Sequence, residues 1–431
     1  MSNTVIIGAG IIGCSTAYYL SESPRTQAQS IHLVEASPKL FASASGYAGG
    51  FLASDWFSPS VAPLGALSFK LHKELADKHD GRMKWGYSRS TGTSLNHESN
   101  VVGGNKERAE DWLRHGSSRA EAAGEHEFSE GEGPAWLTKR RGASIEVISE
   151  DETVAQVYAR RCSMIMVRAC ADPARDPLRL SQFLLDQCTA RGVQLHHPAR
   201  AISVSKDIRD HLASVRLLSS DGTETDIPCT RLLIAAGAWT PRAFGTLFPS
   251  ATLTLPVSQL AGHSLVVRSP RWSAAHEDKG CHAVFATDSA GFSPEIFSRI
   301  GGEIYVAGLN DSGIPLPDLP TDARIDAREV RRLKEVATRL LGIPGAEDDL
   351  EVVREGLCFR PVTPRGQPIL SRIPDAQLGG RYTTRGGGEG GVFVAAGHGP
   401  WGISHSLGTG KVMAEMLEGL PTSANVRGLA L

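Results

Sequence analysis

The chain of 431 residues lacks several features that would place it quickly. No CxxC pair occurs among its seven cysteines, Cys14, Cys162, Cys170, Cys188, Cys229, Cys281 and Cys358. They are scattered and odd in number, which argues against a disulfide framework or a zinc site and for a reducing compartment. No apolar run approaches the length of a membrane span. The formal net charge is only −2, and lysine and arginine are not clustered, so nothing calls for nucleic acid or an anionic membrane. No basic stretch with a cleavage site precedes the first strand-like run, "TVIIGAG", and the final "LAL" is not a peroxisomal signal. A cytoplasmic location is therefore expected. Internal repeats and low-complexity tracts are also lacking.

What is present is a soluble globular composition, 41% apolar and 21% charged, at a length that suggests two domains. Thr4 to Ile7 read as a buried strand, "GIIGCSTAYYLSES" as a helix and "SIHLVEAS" as a second strand. A helix is expected at "LGALSFKLHKELADKH" and a strand at "KWGYSRSTGTSLN". Residues 101–135 are polar and read as loop and surface helix. "DPLRLSQFLLDQCTARG" predicts a helix with Asp176 as N-cap and Gly192 as its stop. Strands follow at "VQLHH", "AISVS" and "ASVRLLSS", and then in "RLLIAAGAWTP". From about 253 to 351 come strands of mixed pattern and one helix, "DAREVRRLKEVATRLLG". The end returns to strand, glycines and helix in "GVFVAAGHGPWGISHSLGTGK".

The first chemical motif is Gly8-Ala9-Gly10-Ile11-Ile12-Gly13, between a strand and a helix. Gly8 permits a tight turn, Gly10 lets a pyrophosphate approach the backbone, and Gly13 lets helix pack on strand. The helix start supplies N–H groups and a positive dipole end. Glu35 ends the second strand about 20 residues further on, where an acid accepts ribose hydroxyls and disfavours a 2′-phosphate. This is a dinucleotide site; the bland alternative is a glycine-rich helix start. "ASASGYAGGFLA" (42–53) lets backbone approach something flat or charged, unless it is a flexible linker. "LLIAAGAW" and "VAAGHGPWGISHSLGTGK" are apolar strands ending in glycine. The second then offers a helix N-terminus to an electron-rich ring edge, or ends in an ordinary helix-terminal turn.

One stretch stands apart: "GLCFRPVTPRGQP". Cys358 and Arg360, two apart in a strand, point the same way. Pro361 should limit further strand pairing. A permanent cation on a buried face needs an anionic partner. That partner is either a ligand or an internal acid such as Glu355 or Glu295.

Taken together, "GAGIIG" with Glu35, "SASGYAGG", "LLIAAGAW", "CFRPVTPRGQP" and "GHGPWGISHSLGTGK" resemble the glycine/D-amino-acid oxidase family of FAD-dependent oxidoreductases, with features of its sarcosine-oxidase branch. The resemblance implies an α/β fold. A discontinuous Rossmann-like FAD-binding domain (1–55, 155–250, 355–431) would join a mainly antiparallel substrate domain (56–154, 251–354). It implies FAD contacts from Gly8 to Gly13, Glu35, Ala36, Ser43, Ala44, Ser45, Ala48, Gly49, Gly50, Ala201, Ala236, Gly237, Trp239, Gly399, Trp401, Gly402 and Ile403. It further implies that Arg360 holds a substrate carboxylate and that Cys358 is a candidate covalent anchor for the flavin, although most cysteines are simply small buried hydrophobes.

The implied activity is oxidation of a C–N bond in an amino acid or a secondary or N-alkyl amine. Hydride passes to flavin N5, giving an imine, with O2 as acceptor and H2O2 as product. No lysine stands in "GEIYVAGLND", where the sarcosine-oxidase branch carries one that helps oxygen react, which leaves another acceptor open. Glu295, Phe51 and Trp401 are candidate substrate contacts, with His263, Phe285, Phe297 and Tyr305 as further wall candidates. His398 either bonds the ring or fills space. The rival reading is a flavoprotein of the same fold with a non-redox assembly or trafficking role.

Overall fold

The computed structural model describes residues 2–96, 129–130, 133–138, 144–149, 153–157, 179–287, 292–346 and 349–431. The expected loop-and-helix stretch before Ser129 and the Asp176 cap lie outside these residues.

Among the described residues, six strands form one sheet in the order Ile369–Ile373, Gly391–Ala396, Arg231–Ile234, Thr4–Ile7, Ile31–Val34, Gln194–His196. Five run parallel, and Ile369–Ile373 is antiparallel to its neighbour. The strands are short, and the central ones, Gly391–Ala396, Arg231–Ile234 and Thr4–Ile7, are buried on both faces, as parallel sheets require. Ile6, Leu33, Leu233 and Phe393 face a layer of helices: Ile11–Glu22, Ala62–His79, Arg179–Ala190 and Gly402–Leu417. Val5, Ile7, Leu232 and Val394 face the other way, against the antiparallel strands Ala199–Lys206, Leu212–Ser219 and Glu224–Pro228 and the helix Thr240–Leu247. This is the Rossmann-like part of an α/β fold.

A larger, mostly antiparallel sheet begins with the strands Glu351–Val362, Ser258–Arg268, Glu303–Asp311, Glu295–Arg299, Cys281–Thr287 and Ser88–Asn96. Ile304, Val306 and Ile296 on one face pack against Leu333, Val336 and Leu340 of the helix Ala327–Leu341. That helix starts at an Asp326 N-cap whose Oδ1 accepts from Arg328 N at 2.7 Å. Phe285, Phe297 and Tyr305 on the other face meet Phe51, Trp56 and Trp401.

Three expectations are displaced. Pro361 does not end its strand: Pro361 and Val362 still pair with Gln259 and Ser258. The strand lies at a sheet edge, so one side of it needs no hydrogen-bond donor. Its whole length, from Glu351, runs along Ser258–Arg268, so a boundary at 355 cuts through a strand of the large sheet. The helix Ala62–His79, placed with the substrate region by a boundary at 56, packs its Leu64, Leu75 and Ala76 into the core beneath the six-stranded sheet. Strand parity and helix amphipathicity say which face is buried but not against which sheet.

The contact between Ala62–His79 and Gly402–Leu417 buries histidines. His72 donates through Nε2 to the Ile403 carbonyl at 3.0 Å, and burial lowers its pKa to about 4. Burial lowers His398 to about 3, and also holds His405 well below its usual value. Folding keeps these rings neutral, whereas the unfolded chain protonates them near pH 6.5. Their contribution is therefore whole above pH 6.5 and is lost as the pH falls toward their folded values. Each histidine adds up to about 1.4 kcal/mol per pH unit to that loss. Urea midpoints should fall between pH 7 and pH 5, with a shallower slope in His72→Gln. A flat profile would contradict this.

Candidate active site

A long cavity runs from the end of the six-stranded sheet to the aromatic face of the large sheet. Its volume of about 260 Å³ is well beyond what a few waters need, at roughly 10–15 Å³ each by the same measure.

At one end the cavity is lined by Gly8, Gly10, Ile11 and Ile12. Gly8 has φ +102, and a Cβ there would come within 2.5 Å of the Ala235 carbonyl oxygen, so only glycine fits. Gly13 is not in the wall. A Cβ on it would collide with the Gly8 carbonyl oxygen, so its bareness serves helix–strand packing. Ala9 also stays out of the wall, and its N–H donates to Glu35 Oε2 at 3.1 Å. Glu35 Oε1 accepts from Ser37 N at 2.9 Å. Burial pushes the Glu35 carboxyl above its usual range, against the pull of the Ser37 and Ala9 N–H groups. A carboxylate has about four acceptor positions, so this acid retains capacity for two hydroxyls. Ala36 and Ala201 line the same end.

The middle is formed by small residues. Ser43, Ala44, Ser45, Ala48, Gly49 and Gly50 line the cavity from one side; Ala236, Gly237 and Trp239 do so from another. Gly399, Gly402 and Ile403 close it, at the start of the helix Gly402–Leu417. Gly237 and Gly399 both have φ +55, and a Cβ on either would meet no atom within 4 Å. Side chains there would project into open space, which is the mark of a cradle shaped for something else. The helix Ile11–Glu22 has Gly10 as N-cap with no side-chain cap, and Gly402–Leu417 has no side-chain cap either. At both helix N-termini the N-cap residue itself supplies no side-chain cap, and in the first helix Ser45 takes only the Ile11 N–H. A pyrophosphate, a diol beside Glu35 and a flat ring against small residues suit this wall, so the residues present fit FAD.

The 43–50 segment, with a helical turn at Ala44–Tyr47, is held on both sides. Ser45 Oγ accepts from Ile11 N at 2.9 Å, and Ser43 Oγ accepts from Phe359 N at 3.1 Å. Arg354 donates to the Gly46 carbonyl at 3.1 Å and lies over the Tyr47 ring. Tyr305 donates to the Tyr47 carbonyl at 3.2 Å, and Arg299 to that of Ala48 at 3.2 Å. The sequence reading missed Arg299, Arg354 and the cavity-lining segment Asp318–Pro320, which Arg242 and Trp239 pin through the Pro317 carbonyl. None of these has a local sequence signal.

The far end answers what Cys358 and Arg360 face. Both line the cavity, with Glu295, Phe297, Tyr305 and Phe51. Arg360 Nη1 donates to Asn310 Oδ1 at 2.7 Å. Glu355, an odd number of residues away, lies on the opposite face of the strand. Burial alone would lower the Arg360 pKa, but Cys358, Tyr305 and Glu295 around it outweigh that and hold it above its usual value.

Other candidates land elsewhere. Trp401 is outside the wall, packed among Phe51, Trp56, Phe57 and His405. Phe285 belongs to the same aromatic packing. His263 accepts through Nε2 from Asp326 N at 3.1 Å, behind the sheet, at the start of Ala327–Leu341. His398 does line the cavity, and its Nε2 lies 3.0 Å from Thr409 Oγ1. With a pKa of about 3 it is a neutral hydrogen-bonding group, not a proton carrier near neutral pH. Among the described residues, no three His, Cys, Asp or Glu side chains gather as metal ligands would.

Residues 3–416 match the family model described as FAD dependent oxidoreductase (DAO). A Schizosaccharomyces pombe protein named as an oxidoreductase is 27% identical over 434 residues, covering 98% of this chain and 96% of that one. A Saccharomyces cerevisiae protein also named as an oxidoreductase is 24% identical, covering 99% and 93%. Among solved structures, glycine oxidase from Geobacillus kaustophilus superposes with a TM-score of 0.68 at 20% identity, covering 100% and 98%. Iminodiacetate oxidase from Chelativorans superposes at 0.67 with 19% identity, covering 99% and 98%. At those identities the two structures show the shared fold.

Gly10→Val tests the cradle. A Cβ at Gly10 already approaches Ser45 Oγ at 3.2 Å, and the valine methyls would enter the cavity or break the Ser45–Ile11 bond. The variant should purify without FAD, read as loss of absorbance near the visible flavin bands. Stoichiometric FAD in Gly10→Val would refute this placement of the phosphates.

Proposed function

The chain belongs to the DAO family of FAD-dependent oxidoreductases, and we propose that it oxidises the C–N bond of an amino acid or an N-alkyl amino acid. The observation that carries this reading is Arg360, a guanidinium beside Cys358 in the wall of the cavity that fits FAD. FAD, when bound, supplies a two-electron acceptor for that bond.

The chain's own residues then have separable tasks. The starts of the helices Ile11–Glu22 and Gly402–Leu417 and the small residues of 43–50 would hold the cofactor, with Glu35 on its ribose. Arg360 binds a carboxylate through paired charge-assisted hydrogen bonds and so fixes the adjacent Cα–N unit. Phe51, Phe297 and Tyr305 exclude water around that unit, which strengthens the ion pair. Glu295 sits where it can receive the amine end. The neutral His398 offers hydrogen bonding without adding charge. A neutral amine next to a Cα–H needs no general base, and the product imine hydrolyses in water. O2 is the acceptor we favour. The Glu303–Asp311 strand carries no lysine, which favours a dehydrogenase with another acceptor as the second reading.

Cys358 is 2% exposed and shares the cavity wall with Arg360. It is the proposed attachment point if the flavin is covalent. Acid precipitation should then leave flavin on the protein, and Cys358→Ala should release it. Complete release from the unmutated protein returns Cys358 to packing.

Arg360→Ala tests the carboxylate reading. Two charge-assisted bonds are worth about 1.5–3 kcal/mol each, so kcat/KM for an amino acid should fall by about two orders of magnitude or more. Arg360→Lys should recover part, because an ammonium lacks the planar fork. FAD content should hold. If Arg360→Ala slows an amino acid and its decarboxylated amine equally, Arg360 is structural.

A further inference from the structure

Asn310, the residue that Arg360 touches, reaches the cavity face only because the strand carrying it is irregular. Ser264 pairs with Ala307, and regular antiparallel register would then set Gly262 opposite Leu309. Instead Gly262 pairs with Asn310. The extra residue sits at Gly308, whose φ is +124 and where a Cβ would collide with the Ser293 carbonyl oxygen. This is a glycine bulge, and a one-residue shift of register moves every following side chain to the other face. Leu309 accordingly packs with Ile304 and Val306 against the helix Ala327–Leu341. Asn310 turns to the side of Tyr305, and its Oδ1 receives Arg360 Nη1 at 2.7 Å.

The seat has a second part. Gly262, on the strand between those of Arg360 and Asn310, has no side chain to spare: a Cβ there would collide with Arg360 Nη1 and come within 2.9 Å of Asn310 Oδ1. The guanidinium therefore occupies the space above a bare backbone position, with one nitrogen tied to an amide oxygen. That tie is to a neutral group, and Glu295 in the same wall is the carboxylate that also acts on the guanidinium. A neutral acceptor fixes the orientation of the fork without cancelling its charge, whereas a carboxylate at the same place would be an internal counter-ion competing with any incoming anion.

We infer that Asn310, delivered by the Gly308 bulge and seated with Gly262, is the positioning residue that orients Arg360 for a carboxylate ligand while leaving its charge available. This rests on the carboxylate role proposed for Arg360, and the test separates the two. The FAD-loaded protein is titrated with acetate and with benzoate, following the perturbation of the flavin spectrum. Asn310→Leu, which removes the tie, should weaken binding by about tenfold. Asn310→Asp, nearly isosteric and able to keep the hydrogen bond, should weaken it more, by about a hundredfold, because it supplies the rival charge. A merely structural amide predicts the reverse order, with Asp the milder change. Arg360→Ala should abolish binding in the same assay. If Arg360→Ala abolishes binding but Asn310→Asp binds as well as the unmutated protein or better than Asn310→Leu, the positioning role is wrong and the carboxylate reading stands. If Arg360→Ala binds both carboxylates unchanged, the carboxylate reading itself falls.

Discussion

Everything in this site hangs on residues 43–50, a segment whose side chains, Tyr47 apart, are small. Small residues let it run close to the cavity, but such a chain loses the most entropy on ordering. The molecule holds it through two serine hydroxyls and a run of backbone carbonyls. Ser45 joins it to the N-terminal helix and Ser43 to the strand bearing Cys358 and Arg360. Carbonyls of Gly46, Tyr47 and Ala48 are taken by Arg354, Tyr305 and Arg299. Arg299 is fully buried, where an unpaired cation would be prohibitive; carbonyl oxygens and the Tyr305 ring, 4.8 Å away, offset that cost. The consequence is that the nucleotide end and the arginine end of one cavity are fixed relative to each other through this loop.

That coupling explains why the chain alternates between its two sheets. Strands from the beginning, middle and end of the sequence build the six-stranded sheet, and the large sheet draws its described strands from between them, while Ala199–Pro228 forms a separate three-stranded sheet. Several of these returns end in glycines that line the cavity, Gly8 and Gly10, Gly237, and Gly399 and Gly402, and Gly49 and Gly50 join them from the 43–50 segment. The large sheet contributes the opposite wall, aromatic and charged. A flat cofactor between small residues on one side and Phe297, Tyr305 and Arg360 on the other is the division of labour that the family assignment leads one to expect.

Much of this was legible in the sequence because it depends on local geometry. The turn at Gly8, the packing glycine at Gly13 and the acid at Glu35 follow from a short motif and its spacing. The shared direction of Cys358 and Arg360 follows from strand parity. What was not legible depends on partners distant in sequence. Trp401 and Phe285 are apolar and near the right elements, but which aromatic side chains face a cavity and which face each other is decided by packing. His263 shares the parity of Leu265 and Val267, but only packing decides that this face meets a helix, whose start His263 bonds, and not the cavity. Arg299 and Arg354 look like ordinary surface cations until the loop they hold is in place. Asn310 is the sharpest case: its parity points it away from Tyr305, and the Gly308 bulge reverses that. An isolated glycine inside a strand pattern is the one signal that marks such a bulge.

The most direct measurement of the central claim is flavin reduction without oxygen. The purified, FAD-loaded protein is mixed anaerobically with a panel of amino acids, N-alkyl amino acids, their decarboxylated amines and non-amine alcohols and acids, and the visible absorbance is followed. The account predicts bleaching by at least one amine that carries a carboxylate, faster than by its decarboxylated counterpart. An oxidised spectrum that persists across every amine, or bleaching confined to compounds without a C–N bond, would contradict it.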